Sequence, residues 1–294
     1  MTWKAYQVVF KLKSPMHIGC GKVGNVQRTR PYVTGRVFWG ALTMRLTRDK
    51  QQPAINSKQY QDIGDEVHKR LAYTYFYPAI KQNGDYQIQW SWGDKESLFR
   101  RRFLSSYTST ALMYPQQAAD EGLLHEVEFL SPRTLDQGKQ VYLVGYVFEQ
   151  EDCNLQWQVA CHHLQFGGER GYGWGDVQLQ CTQKCTDPEK QTQKCIQEVT
   201  DSQLFDANYR WTERNDRIVI QVPESMHLLA HTVAQNVSAK GEIEPLVGRE
   251  WKVSTQAGQH VEKFVDDLCW VPGSIAIAPQ RFEIQQFGIW HPSK

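Results

Sequence analysis

No run of apolar residues in this chain approaches the about 18 that a membrane-spanning helix needs, so no membrane partner is expected. The N-terminus, Met-Thr-Trp-Lys-Ala-Tyr-Gln, lacks the apolar core of a signal peptide. Cysteine is sparse and odd in number, seven scattered over 294 residues. That argues against a disulfide scaffold and points to a reducing cytoplasm. The common nucleotide fingerprints are missing too. In the most glycine-rich stretch, residues 166–176 (Phe-Gly-Gly-Glu-Arg-Gly-Tyr-Gly-Trp-Gly-Asp), Asp176 stands where the third glycine of G-x-G-x-x-G belongs, and no Gly-Lys-Ser/Thr follows. This argues against a dinucleotide or P-loop enzyme.

What the chain does have is aromatic bulk and an uneven spread of charge. Ten Trp, thirteen Tyr and twelve Phe can fill a substantial core, which argues against wholesale disorder. Net charge is only +1, yet residues 1–50 hold ten Lys/Arg against one acid, Asp49, a local +9; the remaining 244 residues carry −8. Such asymmetry suggests a basic site for a polyanion. The alternative is that these bases pair with the acidic remainder of the fold. The glycine stretch also has two readings. Its backbone N–H groups form a concavity suited to phosphate oxygens, Arg170 adds a charged fork, and Tyr172 or Trp174 offers a stacking face. Otherwise it is a tight connection packed on itself.

Along the chain, residues 5–13 read as a strand, 36–48 as an amphipathic helix, 57–72 as a second helix and 85–92 as a half-buried strand. Residues 125–148 read as a hairpin with its turn at 136–139, 153–166 as a helix ended by the glycine loop, and 175–181 as a strand. Insertions aside, the order is βαββαβ, an α+β, ferredoxin-like (RRM-like) plan whose sheet face often binds RNA. Residues 181–205 are rich in Gln, Thr, Lys and Cys, repeat Thr-Gln-Lys-Cys, and read as a linker or mobile insertion between a domain at 1–180 and a smaller β-rich module at 206–294.

Three stations lie in sequence: Ser-Pro-Met-His-Ile-Gly at 14–19 leading to Pro-Tyr-Val-Thr-Gly-Arg-Val-Phe-Trp-Gly-Ala-Leu at 31–42, Leu-His-Glu-Val-Glu-Phe-Leu at 124–130, and the glycine loop at 167–175. This order resembles the RAMP superfamily of CRISPR-associated proteins, over residues 5–180 and more loosely over 206–294. The resemblance implies a subunit of a type III-like CRISPR effector ribonucleoprotein, binding guide RNA (crRNA) and neighbouring effector subunits: a backbone RAMP subunit first, with the large subunit as a second candidate. It also implies that 104–123 corresponds to the thumb-like loop of backbone subunits. Target-cutting relatives place an aspartate in the first loop, whereas residues 14–36 contain no Asp or Glu. The expected role is therefore a non-catalytic cap on the repeat-derived 5′ tag.

The RNA-binding candidates are His17, Lys22, Asn25, Arg28, Arg30 and Arg36 in the basic run, and Gly168, Arg170, Gly171, Tyr172, Gly173 and Trp174 in the glycine loop. The basic residues would meet phosphates without sequence preference, and the aromatics would stack on splayed bases. Two alternatives stay open. His17 could act as general base in a metal-independent endoribonuclease that processes repeat RNA, or the chain could be a scaffold that binds no RNA. Neither cofactor nor metal is expected. Cys161, His162, His163, Cys181, Cys185 and Cys195 lack standard zinc spacing, and Glu262, Asp266 and Asp267 read as a solvated acidic cluster. Arg100–Arg102 either touch RNA or form a solvated face.

Overall fold

Residues 3–12 alternate in neither polarity nor burial: Val8, Phe10 and Leu12 bury on one side and Trp3, Ala5 and Val9 on the other. A strand covered on both faces reads this way, and this one is the centre of the molecule. The computed structural model describes residues 2–50, 56–115, 117–119, 122–180, 196–205, 208–252 and 258–293, with backbone only at 249–252 and 258–263. In it the strand Trp3–Leu12 pairs antiparallel with Val141–Gln150 along nearly its whole length, from Trp3 opposite Gln150 to Lys11 opposite Tyr142. Val177–Leu179 pairs on its other edge. Tyr77–Gln82 lies beyond Val141–Gln150, and Asp85–Ile88 closes the row. The last two strands are joined by Asn83-Gly84, both at positive φ, the favoured chemistry of a two-residue hairpin turn.

Helix α1 (Gly35–Lys50) and helix α2 (Ser57–Arg70) fall between the first strand and Tyr77–Gln82. Short helices α3 (Glu96–Phe103) and α4 (Trp157–Ala160) follow in chain order. Of these, α4 lies between Val141–Gln150 and Val177–Leu179. Numbering the four core strands by chain order, the sheet runs 4-1-3-2, the order of the βαββαβ plan. The α+β expectation is met. α1 lays Phe38, Ala41, Leu42 and Leu46, and α2 lays Ile63 and Val67, on the Phe10 side of the sheet.

The opposite face is covered as well. Tyr75, Tyr77, Tyr146 and Phe148 share a core with Ile218, Ile220, Phe282 and Trp290 of an eight-stranded C-terminal sheet. The surface by which an RRM-like sheet commonly takes RNA is therefore filled by protein.

Three expectations need correction. His125–Leu130 and Val141–Gln150 do not pair as a hairpin. His125–Leu130 pairs antiparallel with Leu104–Ser109 and parallel with Val26–Thr29 in a separate four-stranded sheet that ends in Gly19–Val23. The helix over 153–166 shrinks to α4 and a 3-10 turn, Cys161–His163, because the chain becomes extended at Leu164 and Gln165 bridges to Asp176. The strand over 85–92 ends at Ile88; Trp90 and Trp92 stack on each other at 5.1 Å and pack against the C-terminal core. Of 181–205, residues 181–195 lie outside the described residues, while Gln197–Val199 pairs with Ala5–Gln7. No described helix is long and apolar enough to cross a membrane.

Candidate nucleic-acid interface

The first loop and the glycine loop meet. Four backbone-mediated bonds tie them: Lys13 N–H to Asp176 O (2.9 Å), Gly175 N–H to Pro15 O (2.6 Å), Gly168 N–H to His17 O (2.8 Å) and Asp176 N–H to Ser14 Oγ (2.9 Å). Lys13 Nζ adds an ion pair to Asp176 at 2.9 Å. Gly167 has φ +85° and Gly175 φ +77°. A Cβ on Gly167 would overlap the His17 carbonyl and one on Gly175 the Phe166 carbonyl, so both positions require glycine. The glycines between them do different work. Gly171 and Gly173 meet nothing around a virtual Cβ, and the 3-10 turn Arg170–Tyr172 lifts Tyr172 into solvent, 83% exposed.

Between this loop and α1 lies a groove of about 570 Å³. Gly168 and Arg170 line one side, with Gly19 at one end. From α1 it is lined by Arg36, Gly40, Met44 and Arg48, spaced by four residues and hence one stripe of a helix. The Arg170 guanidinium reaches Met44 Sδ across the groove at 3.6 Å. Three arginines thus border one concavity lined between them by glycine and apolar side chains, a surface suited to a polyanionic backbone. The stripe was legible as a four-residue repeat in the sequence, but Gly40, Met44 and Arg48 were not among the expected contacts.

The remaining basic candidates are placed elsewhere. Lys22 and Asn25 are exposed, Lys22 on the strand Gly19–Val23 and Asn25 in the turn before Val26–Thr29. Arg28 pairs with Glu128 (Nε–Oε2, 3.0 Å), a carboxylate only 12% exposed that also takes Arg100 at 2.7 Å and the Thr29 N–H at 3.0 Å. Arg30 pairs with Glu244 at 2.6 Å. It belongs to a bonded chain that runs from the first loop through the C-terminal sheet to Tyr75. Arg30 Nη2 and His231 Nε2 both meet Glu244 Oε1 at 2.6 Å, and His231 Nδ1 meets the Tyr75 hydroxyl at 2.7 Å. The polarity that satisfies every partner has Tyr75 O–H donating to Nδ1 and Nε2–H donating to the carboxylate. Burial lowers the His231 pKa, which suits that neutral ring. Burial would raise the Glu244 pKa, but the His231 hydrogen bond and the Arg30 charge outweigh it and hold it below the usual value.

His17 is 6% exposed. Its Nδ1 lies 2.7 Å from the Glu128 carbonyl oxygen, an acceptor only, so Nδ1 carries the proton and Nε2 alone is left to take one. With its own carbonyl bound to Gly168, this residue joins the first loop, the strand His125–Leu130 and the glycine loop. Trp174 turns inward, edge-on to Phe129 at 5.1 Å. Of the basic run at 100–102, Arg100 meets Glu128, Arg102 pairs with Asp136 at 2.8 Å, and Arg101 is exposed. Among the described residues no three His, Cys, Asp or Glu gather as metal ligands. Cys181, Cys185 and Cys195 lie outside the described residues, as does the side chain of Glu262; Cys161 is buried.

No family model and no curated protein matches the chain. Among solved structures it is similar to a chain of the type III-B Cmr-beta complex bound to cognate target RNA and AMPPnP, with TM-score 0.48 and 10% identity over 92% of this chain and 85% of that one. It is also similar to a chain of Cmr-beta bound to cognate target RNA, with TM-score 0.38 and 11% identity over 59% and 95%. A chain of the apo Cmr-beta complex gives TM-score 0.37 and 9% identity over 67% and 98%. Likeness at this level leaves function to the molecule's own geometry.

Proposed function

We propose that this chain is a non-catalytic guide-RNA-binding subunit of a type III-like CRISPR effector ribonucleoprotein, and that the groove between α1 and the glycine loop holds the repeat-derived 5′ tag of the crRNA. One observation carries the reading: two segments some 150 residues apart in sequence, both expected to touch RNA, are bonded together along the edge of one arginine-bordered groove. The covered sheet face agrees with it, since RNA has to be taken by loops and helix flank. Phosphates lie along Arg36, Arg48 and Arg170, and Tyr172 stands free to stack on a base. His17 serves as a pillar of the site.

Arg48 and Arg170 are exposed, so the double charge reversal Arg48→Glu/Arg170→Glu tests the groove with little effect on the fold. Fluorescence anisotropy with synthetic repeat-tag RNA is expected to show at least tenfold weaker binding. The slope of log affinity against log salt should flatten by about 1.4, roughly 0.7 per lost phosphate contact on a single strand. Unchanged affinity and slope would remove the groove from the interface. Incubation of the same RNA with wild-type protein in chelator should leave it intact; cutting that is lost in His17→Ala would instead establish the endonuclease reading.

A further inference from the structure

The groove does not stop at Arg36. Ile18, Gly19, Arg36 and Val37 line it and also line a second cavity, of about 190 Å³, that opens between the two modules. The two walls of this cavity differ in chemistry. Arg30, Thr34 and His231 form a polar side, held in place by the Glu244 ion-pair chain. Val247, Phe264 and Phe287 form an apolar side, with the two rings edge to face at 5.6 Å. The pairing of the strand Ile243–Lys252 with Gly258–Trp270 slips between Pro245 and Val247, where Leu246 alone stands opposite residues 264–267. Such an irregularity re-aims side chains that regular pairing would send to opposite faces, and here Leu246, Val247 and Phe264 all line the cavity. The Arg36 guanidinium lies 3.4 Å over the Phe264 ring, where groove and cavity join.

This arrangement selects a class of occupant. The charge of Arg30 is offset by Glu244, and the Arg36 guanidinium lies over the Phe264 ring where the cavity meets the groove, so cationic charge stands at the mouth and the interior is paired or apolar. An aromatic face opposite hydrogen-bonding groups suits a flat, neutral heterocycle. An engineered cavity of about 150 Å³ holds benzene, so 190 Å³ takes a single base. We propose that this cavity receives one nucleobase of the RNA strand lying in the adjacent groove, turned in past Arg36 and packed against Val247 and the Phe264–Phe287 ring pair. The inference rests on the groove being an RNA site. Its consequence is that the C-terminal module, through Val247, Phe264 and Phe287, takes part directly in holding RNA and is not only a cover for the sheet.

Photocrosslinking separates this inference from the function on which it rests. Repeat-tag RNA substituted with 4-thiouridine is bound to the full chain and irradiated, and the adducts are mapped by mass spectrometry. The expected result is adducts on Phe264 or Phe287 as well as on the glycine loop. In Val247→Trp, which fills the cavity from a half-exposed position, the Phe adducts should vanish, the loop adducts remain and affinity fall about fivefold. Adducts on the loop or α1 alone in the wild type would overturn the cavity while leaving the groove standing. No retained RNA and no adducts would remove both. The wild-type map decides the matter even if the tryptophan variant folds poorly.

Discussion

Arg28 and Arg30 belong to the first loop and its flank, Arg36 and Arg48 to the helix that follows; the two pairs have different fates. The first pair is spent on the fold. Arg28 shares Glu128 with Arg100, and Arg30 joins Glu244 and His231 of the C-terminal half, its side chain 16% exposed. The second pair faces a groove with Arg170. All four contribute equally to the excess of positive charge in the first fifty residues, yet only the second pair borders a concavity large enough for a polymer. Charge asymmetry locates a basic segment; the depth and pairing of each side chain decide whether it serves a ligand or the core. The Arg30 pair, the more deeply set, should therefore respond least to salt, and the exposed Arg48 the most.

The sharpest way to break this contrast is Arg30→Ala. It leaves Glu244 beside His231 without its cation, and truncating one partner of a largely buried pair is strongly destabilising. Urea denaturation should show a loss of about 3 kcal/mol, at the lower end for such pairs because Glu244 keeps partial solvent contact. The corresponding truncation of Arg48 should lie within about 0.5 kcal/mol of wild type, as surface substitutions usually do. Equal losses at the two positions would erase the distinction.

Much of the fold was legible because burial wrote it into local spacing. The strand read at 5–13, both long helices and the βαββαβ order follow from period and order, whereas Tyr77–Gln82, the second strand of the 4-1-3-2 sheet, was not read at all. The partnership of His125–Leu130 was not legible. Its strongest local cue was the following strand, whereas its actual partners lie at 26–29 and 104–109, and nothing in a single sequence records such a pairing. The fates of Arg28 and Arg30 were hidden for the same reason, being set by Glu128 and Glu244, about 100 and 214 residues away. The site was half legible. The glycine loop and Arg36 were visible as motif and charge, and the stripe through Gly40, Met44 and Arg48 was there to be read as a helical repeat.

The pH dependence sharpens the comparison next. Burial lowers the His231 pKa below its ordinary 6.5, and it lowers His68, stacked on Trp39 at 5.1 Å, to about 4. For both, the unfolded chain binds protons that the folded chain refuses, so stability is fully present above pH 6.5 and is lost as pH falls through the window from 6.5 toward 4. Glu244, held below its usual value, adds a loss of the same sign at the acid end. We expect unfolding free energy to drop by about 2 kcal/mol between pH 7 and pH 4. Each tenfold difference in proton affinity between folded and unfolded chain is worth about 1.4 kcal/mol, reduced here because solvent screens the partly exposed groups. His68→Phe, which keeps the stack, should flatten the curve between pH 6 and pH 4. An unchanged curve in that variant would show that His68 does not carry the effect.

The smallest effect tests the open side of the contrast at its most exposed point. Tyr172 is held up by a turn whose left-handed residues, Glu169 and Gly173, bracket Arg170–Tyr172, and the absence of contacts around Gly171 and Gly173 leaves room beside the ring. A ring displayed this way loses little on mutation unless something stacks on it. Tyr172→Ala should leave thermal stability unchanged and weaken repeat-tag RNA about fivefold, close to 1 kcal/mol, the low end for one base–aromatic stack. The salt slope should stay where it is, since no phosphate contact is removed. That pairing of a lost stack with an unaltered slope distinguishes Tyr172 from Arg48 and Arg170. If the slope falls along with the affinity, the ring is positioning Arg170 and not meeting a base, and the glycine loop acts through charge alone.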